Sequence, residues 1–212
     1  MSMTREKMNY DLLIVGAGPS GLSAAINFKK NCIQNNKNYT VCVVEKGSEV
    51  GAHILSGAIL QPTALDELFD NWRENAECPV KVKVKEESVK FLTNEKSFNI
   101  PKFLLPSVMH NKGNFIISLG SLCKWLGSEA EKLGVEIYPG FAASDIITNN
   151  GILQGIVTGD LGVDQEGKPG QNYQPGIEIH SKFTLFAEGC RGHLGKKLMK
   201  EFDLRNESQH QT

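Results

Sequence analysis

The segment from Tyr10 to Glu45 constrains the fold more than any other. "YDLLIV", Tyr10 to Val15, is apolar without alternation, as a parallel strand buried on both faces requires. "GAGPSG" follows, and "LSAAINFKK", Leu22 to Lys30, carries apolar residues at helical spacing. "NNKN" interrupts that pattern, and "YTVCVVE" is a second buried strand. Strand, glycine turn, helix and strand make one βαβ unit within the first 45 residues.

The turn is a G-x-G-x-x-G pattern. Gly16 permits a tight turn, Gly18 lets a pyrophosphate approach the backbone, and Gly21 allows the helix to pack closely on the strand. With Ala17, Pro19 and Ser20 between them, these residues are expected to hold the phosphates of a dinucleotide. Helix N-terminal N–H groups and the positive dipole end favour an anion there. The alternative is glycine used only for packing. Glu45 ends the second strand 24 residues after Gly21 and suits the adenosine ribose hydroxyls. Its charge would repel a 2′-phosphate, which disfavours NADP. Between NAD and FAD, the downstream pattern favours FAD. The second strand leads into a glycine-rich loop, a short helix and antiparallel strands, and not into another βαβ repeat.

Further along, Pro62 to Phe69 reads as a short helix, and "KVKVKE", Lys81 to Glu86, as a strand with one wet face. "SVKFLTNEKSFNI" predicts a hairpin around "TNEK", and "FIISL" another strand. Leu119 to Leu133 is an amphipathic helix. "VEIYPG" and "FAASDII" are successive strands, and "GILQGIVTGD" pairs with the latter through the turn signal "NNG". Gly159 to Pro175 is a long loop or hairpin tip, "KFTLFAEG" a buried strand, and Gly195 to Phe202 the start of a helix.

Composition excludes some functions. The 212 residues carry a formal net charge of -1, without the basic field of a nucleic-acid binder, so no nucleic-acid partner is expected. No run of 18 apolar residues is present to span a bilayer as a helix. "MSMTREKMNY" lacks an apolar signal core and is short for a transit peptide, so a cytoplasmic start is expected, bacterial if the sequence is complete at this end. Five scattered cysteines without a Cys-x-x-Cys pair predict structural thiols in a reducing compartment, with Cys42 in the core and no iron–sulfur or zinc ligands in this chain. Cys190 lies beside Arg191 and His193, which would depress a thiol pKa, but no second cysteine is near in sequence and no redox role is assigned.

"GAGPSGLSAA", "VVEKGSEVGAHILSGA", "SLCKWLGSEAEKLGVEIYPGFAA" and "LFAEGCRGHLGKKL" with "FDLR" resemble the electron transfer flavoprotein–ubiquinone oxidoreductase family, from Tyr10 onward. FixC-type and geranylgeranyl-reductase-type flavoproteins are more distant. The resemblance implies an α/β Rossmann-type FAD-binding domain, with a parallel sheet plus antiparallel strands, of the glutathione-reductase/hydroxybenzoate-hydroxylase kind. It would be incomplete here: residues 1–9 form a polar tail, 10–212 the domain, and 80–118 an inserted antiparallel region facing quinone and membrane. The implied partners are electron transfer flavoprotein and ubiquinone, and the implied cofactor is FAD. A 4Fe–4S cluster would lie in a C-terminal part outside this chain, leaving the fragment alone inactive. The implied location is the cytoplasmic face of a bacterial inner membrane, or the mitochondrial inner membrane if a presequence is missing.

The resemblance also implies roles for single residues. Glu45 and Lys46 would flank the adenosine ribose. Gly51, Ser56 and Gly57 would run along the flavin side, with Ser56 donating a hydrogen bond. Ala143, Ala187 and Gly189 would touch the dinucleotide, Glu188 would either touch it too or only cap the following turn, and His53 would pack or hydrogen-bond. No catalytic side chain is assigned. Relatives carry "RLGHL" where this chain has "SLGSL", Ser118 to Leu122. The missing arginine would have faced the phosphates, with Lys124 or Arg191 as compensating cations. "FNIPKFLLPSVMHNK", Phe98 to Lys112, is either a buried loop or an exposed apolar patch with Lys102 and Lys112 at headgroups. The resemblance favours a membrane-facing surface at about Phe98–Met109. Two other readings remain: a FixC-like or geranylgeranyl-reductase-like oxidoreductase, and a non-catalytic FAD- or NAD-binding fragment.

Overall fold

A computed structural model describes residues 5–54, 57–163 and 168–206. The predicted βαβ unit opens it, as β1 (Lys7–Val15), α1 (Pro19–Gln34) and β2 (Val41–Glu45). Next come β3 (Ala58–Leu60), α2 (Thr63–Leu68), β4 (Val82–Lys83), β5 (Val89–Leu92), β6 (Ser97–Ile100) and β7 (Phe115–Ile117). After these stand α3 (Leu119–Lys132), β8 (Val135–Pro139), β9 (Ala143–Asn149) and β10 (Ile152–Thr158). The last elements are β11 (Leu161–Val163), β12 (Pro169–Gln174), β13 (Glu178–Phe186) and α4 (His193–Glu201).

Six strands form the main sheet in the order β8-β2-β1-β13-β10-β9. The pairs β8–β2, β2–β1 and β1–β13 are parallel, and β10 is antiparallel to both its neighbours. The continuous apolar run of β2 is explained by burial on both faces: Val41, Cys42, Val43 and Val44 are all at or below 1% exposure. α1 and α3 cover one face, burying Ile14, Leu22, Ile26, Val43 and Leu126 in one cluster. Cys42 is fully buried, as its strand position predicts.

β8 and β9 sit at opposite ends of the hydrogen-bonded order, yet only Gly140 to Ala142 connect them. Five strand spacings amount to roughly 24 Å, and such a connection spans at most about 14 Å. The sheet must therefore curl, bringing β9 and β10 back over the face opposite α1. A second core cluster fills that fold, holding Leu13, Val15, Cys42, Val44, Ile156 and Ile179, with Ile146 and Tyr138 at its margin.

A smaller antiparallel sheet, β3-β7-β4, has its inner side on the main core through Phe115 and Ile117. Trp72 meets Phe115 edge to face at 5.4 Å between ring centroids. The predicted "TNEK" hairpin is present as β5 and β6. Gly159 to Pro175 contains the arm β11–β12.

Two expectations change. "KVKVKE" contributes only Val82 and Lys83 to a strand, with Val82 outward against Ile116, while Val80 and Val84 are buried. One further backbone bond, from the Val84 N–H to the Asn114 carbonyl at 2.9 Å, continues that pairing past the end of β7. "KFTLF" is not buried on both faces: Phe183 is 74% exposed and Leu185 38%. α1 packs on β1, β2 and β8, and α3 on β8, which leaves that side of β13 uncovered.

Candidate functional site

Three parallel strands, β2, β1 and β13, end at one edge of the sheet, and the turns leaving them converge there. Gly16 donates its N–H to the Val44 carbonyl at 2.8 Å, and Ala187 donates to the Val15 carbonyl at 2.8 Å. A cavity of about 830 Å³ opens at this edge, within the size range of small-ligand sites. The carboxyl ends of parallel strands are where α/β sheets hold their ligands.

The three glycines divide the work. A Cβ at Gly21 would lie 2.0 Å from the Gly16 carbonyl oxygen, and one at Gly16, where φ is +109°, 2.5 Å from the Ala187 carbonyl oxygen. Both are required by packing. A Cβ at Gly18 would meet nothing within 4 Å, and its φ of -79° suits any residue. Glycine at 18 therefore leaves space on the cavity side and serves no internal contact. Gly18 caps α1 without a side-chain hydrogen bond, and no acidic residue stands in the first turn. The Ser20 and Gly21 N–H groups have no carbonyl inside the helix to bond, so they are free for an anion.

Glu45 ties the site together. Its Oε2 accepts the Ala17 N–H at 2.9 Å and its Oε1 the Gly47 N–H at 2.7 Å. A carboxylate has about four acceptor positions, so two remain for hydroxyls of a ligand. Beneath it, burial and the Glu45 charge push the Cys123 thiol up to about 11. Burial and the Glu136 charge push Cys42 up to about 12. Four cysteines are buried and Cys190 alone is exposed.

Gly16, Gly18, Pro19, Ser20, Glu45, Lys46, Ala143, Ala187 and Gly189 all line the cavity. Ala17 lies behind it, buried and bonded to Glu45. Gly21 is buried in the helix–strand contact. Gly51, at φ +87°, packs on Gly120, where a Cβ would fall 2.5 Å from the Gly120 carbonyl oxygen. Gly57 is exposed and away from the lining, and Ser56 lies outside the described residues. His53 lines the cavity and is exposed. Glu188 lines the cavity and also caps α4: its oxygens accept from Leu194 N–H at 3.3 Å and Gly195 N–H at 2.7 Å.

Sequence reasoning missed Phe141, Ala142 and Phe186, which also line the cavity. The first two reach it only because the sheet curls, and no local pattern encodes that. Lys124 pairs with Glu49 at 2.8 Å on the surface and does not line the cavity, whereas Arg191 does. Ser118 accepts the Ser121 N–H and caps α3. Among the described residues, no group of three or more His, Cys, Asp or Glu is placed to hold a metal ion.

A family model described as an NAD(P)-binding Rossmann-like domain matches residues 14–73. The electron transfer flavoprotein-ubiquinone oxidoreductase of Pseudomonas aeruginosa is 54% identical over 99% of this chain, which covers 38% of that protein. The mitochondrial enzyme of Homo sapiens is 45% identical over the whole chain, covering 34% of its length. The chain is similar along its whole length to these oxidoreductases. It spans little more than a third of the length of these relatives and corresponds to their N-terminal part. A geranylgeranyl bacteriochlorophyll reductase-like protein of Thermoplasma acidophilum has the same fold, at a TM-score of 0.56 and 19% identity, over 86% of this chain and 40% of its own. The myxobacterial FAD-dependent chondrochloren halogenase also shares it, at a TM-score of 0.56 and 17% identity, over 89% of this chain and 39% of its own.

Proposed function

We propose that this chain is the FAD-holding part of an enzyme that passes electrons from reduced electron transfer flavoprotein to ubiquinone. The observation that carries the cofactor is the open space at Gly18, beside an uncapped helix N-terminus and a carboxylate with acceptor capacity left. Ser20, Gly21 and the turn backbone would hold the pyrophosphate, and Glu45 the ribose. FAD would supply the redox chemistry, and this chain the binding and the exclusion of water. The donor and acceptor rest on the names of relatives of which this chain covers little more than a third. An iron–sulfur cluster would be held by residues outside this sequence.

The membrane surface belongs to the same proposal. Phe98 (55% exposed), Phe103 (84%), Leu104 (64%) and Val108 (87%) project from β6 and the two short 3-10 turns after it. Phe91 (61%), opposite Phe98 across the hairpin, extends the patch, while Leu92 (70%) stands on the hairpin's other face. Apolar side chains this exposed suit a bilayer interface, on the cytoplasmic face of a bacterial inner membrane or its mitochondrial counterpart. Among the described residues, no helix is long and apolar enough to cross a membrane.

Two experiments test the reading. Titration of the purified chain with FAD, followed by flavin fluorescence, should show saturable one-to-one binding; absence of binding to folded protein removes the cofactor assignment. Replacing Phe103, Leu104 and Val108 together by serine should abolish co-sedimentation with liposomes while the melting temperature stays put. Unchanged sedimentation places any anchor elsewhere.

A further inference from the structure

We propose that Arg191 is the side chain that neutralises the pyrophosphate of the bound dinucleotide, an inference that rests on the cofactor reading above. Four side chains lining the cavity can carry positive charge: Lys46 and Arg191, and, when protonated, His53 and His193. The His193 ring is already engaged, with Nδ1 3.7 Å from Glu188 Oε1 and Nε2 3.5 Å from the Ser144 carbonyl. Lys46 follows Glu45 at the tip of β2, on the ribose side. Arg191 stands on the turn after β13, which touches the glycine loop directly. The Ala187 carbonyl oxygen occupies the space that a Cβ at Gly16 would need.

The surroundings keep Arg191 available. Glu188 is the nearest acid in its turn, and both its oxygens face the N-terminus of α4. Gly192 permits this tuck, since a Cβ there would lie 2.6 Å from the Glu188 Cβ. The acid thus satisfies α4 and leaves Arg191 without a hydrogen bond or ion pair among the described residues. Of the two helix N-termini at the cavity, α4 is closed by its own carboxylate and α1 is open. The open N-terminus of α1 and Arg191 line the same cavity. A partial helix charge alone leaves much of a pyrophosphate's negative charge unmatched. A guanidinium, with its fork of donors, supplies the remainder. Lys124 cannot do so, since it is held by Glu49 away from the cavity.

The test is calorimetric titration of the 212-residue chain with FAD and with ADP, at low and high salt. Arg191→Met should weaken both ligands roughly tenfold at low salt, the scale of one lost charge-assisted bond. It should also flatten the salt dependence, because the screened charge is gone. Arg191→Lys should retain most of the affinity, and Lys124→Met should leave it unchanged. The exposed position predicts unaltered melting temperatures for all three. Equal affinity and salt dependence for Arg191→Met and the unsubstituted chain overturns the inference while the cofactor reading stands. Loss on Lys124→Met in its place overturns it too. Binding of neither FAD nor ADP by the unsubstituted, folded chain overturns the cofactor reading and this inference with it.

Discussion

Gly18→Val separates ligand binding from folding at a single position. In the ligand-free fold the new side chain enters open space, with nothing within 4 Å of its Cβ, and the backbone φ of -79° needs no adjustment. Stability should therefore change by no more than about 1 kcal/mol, the scale of placing a poor capping residue at the start of α1. A phosphate oxygen bonded to first-turn N–H groups must come within about 2.9 Å of the backbone nitrogen, and the valine methyl groups fill that approach. Losing two charge-assisted hydrogen bonds costs about 3–6 kcal/mol, so the FAD dissociation constant should rise roughly 10²–10⁴-fold. Flavin fluorescence titration reads the affinity and a thermal melt reads the fold. Unchanged affinity would refute the placement of the pyrophosphate. A melting temperature lowered by many degrees would refute the claim that Gly18 makes no internal contact.

Gly21→Ala should do the reverse, costing at least about 1–3 kcal/mol of stability through overpacking, because its Cβ would lie 2.0 Å from the Gly16 carbonyl oxygen; urea unfolding measures it. Glu45→Ala should weaken FAD by about 1.5–3 kcal/mol and also destabilise the free chain, since Ala17 and Gly47 lose their acceptor; affinity loss without any change in the ligand-free melt would separate Glu45 from the turn. Glu136 accepts hydrogen bonds from Tyr138 at 2.6 Å and Tyr10 at 2.7 Å, which hold its carboxyl below the ordinary range. The unfolded chain therefore binds that proton more tightly, so the contribution is present above about pH 4.3 and lost as pH falls below it. Glu136→Gln should lower stability at pH 7 and match the unsubstituted chain in strong acid; a gap that persists in acid refutes the ionic origin.

The βαβ unit and its glycine turn were legible from sequence because their physics is local. A buried parallel strand must be apolar throughout, the turn needs glycine within a few residues, and the helix begins where the strand stops. The same locality made the "TNEK" hairpin and the "NNG" turn readable, since each pairs neighbours along the chain. What tertiary structure decided is of another kind. Phe141 and Ala142 reach the cavity only because β9 and β10 curl back over the sheet, a consequence of twist accumulated over strands that are distant in sequence. Phe183 looked buried from its apolar run, yet whether a second layer covers β13 is set by where helices from elsewhere land. The division of labour among Gly16, Gly18 and Gly21 was legible as a motif. That Gly18 faces empty space while the other two face carbonyl oxygens is a fact of packing, and the pattern of letters does not contain it.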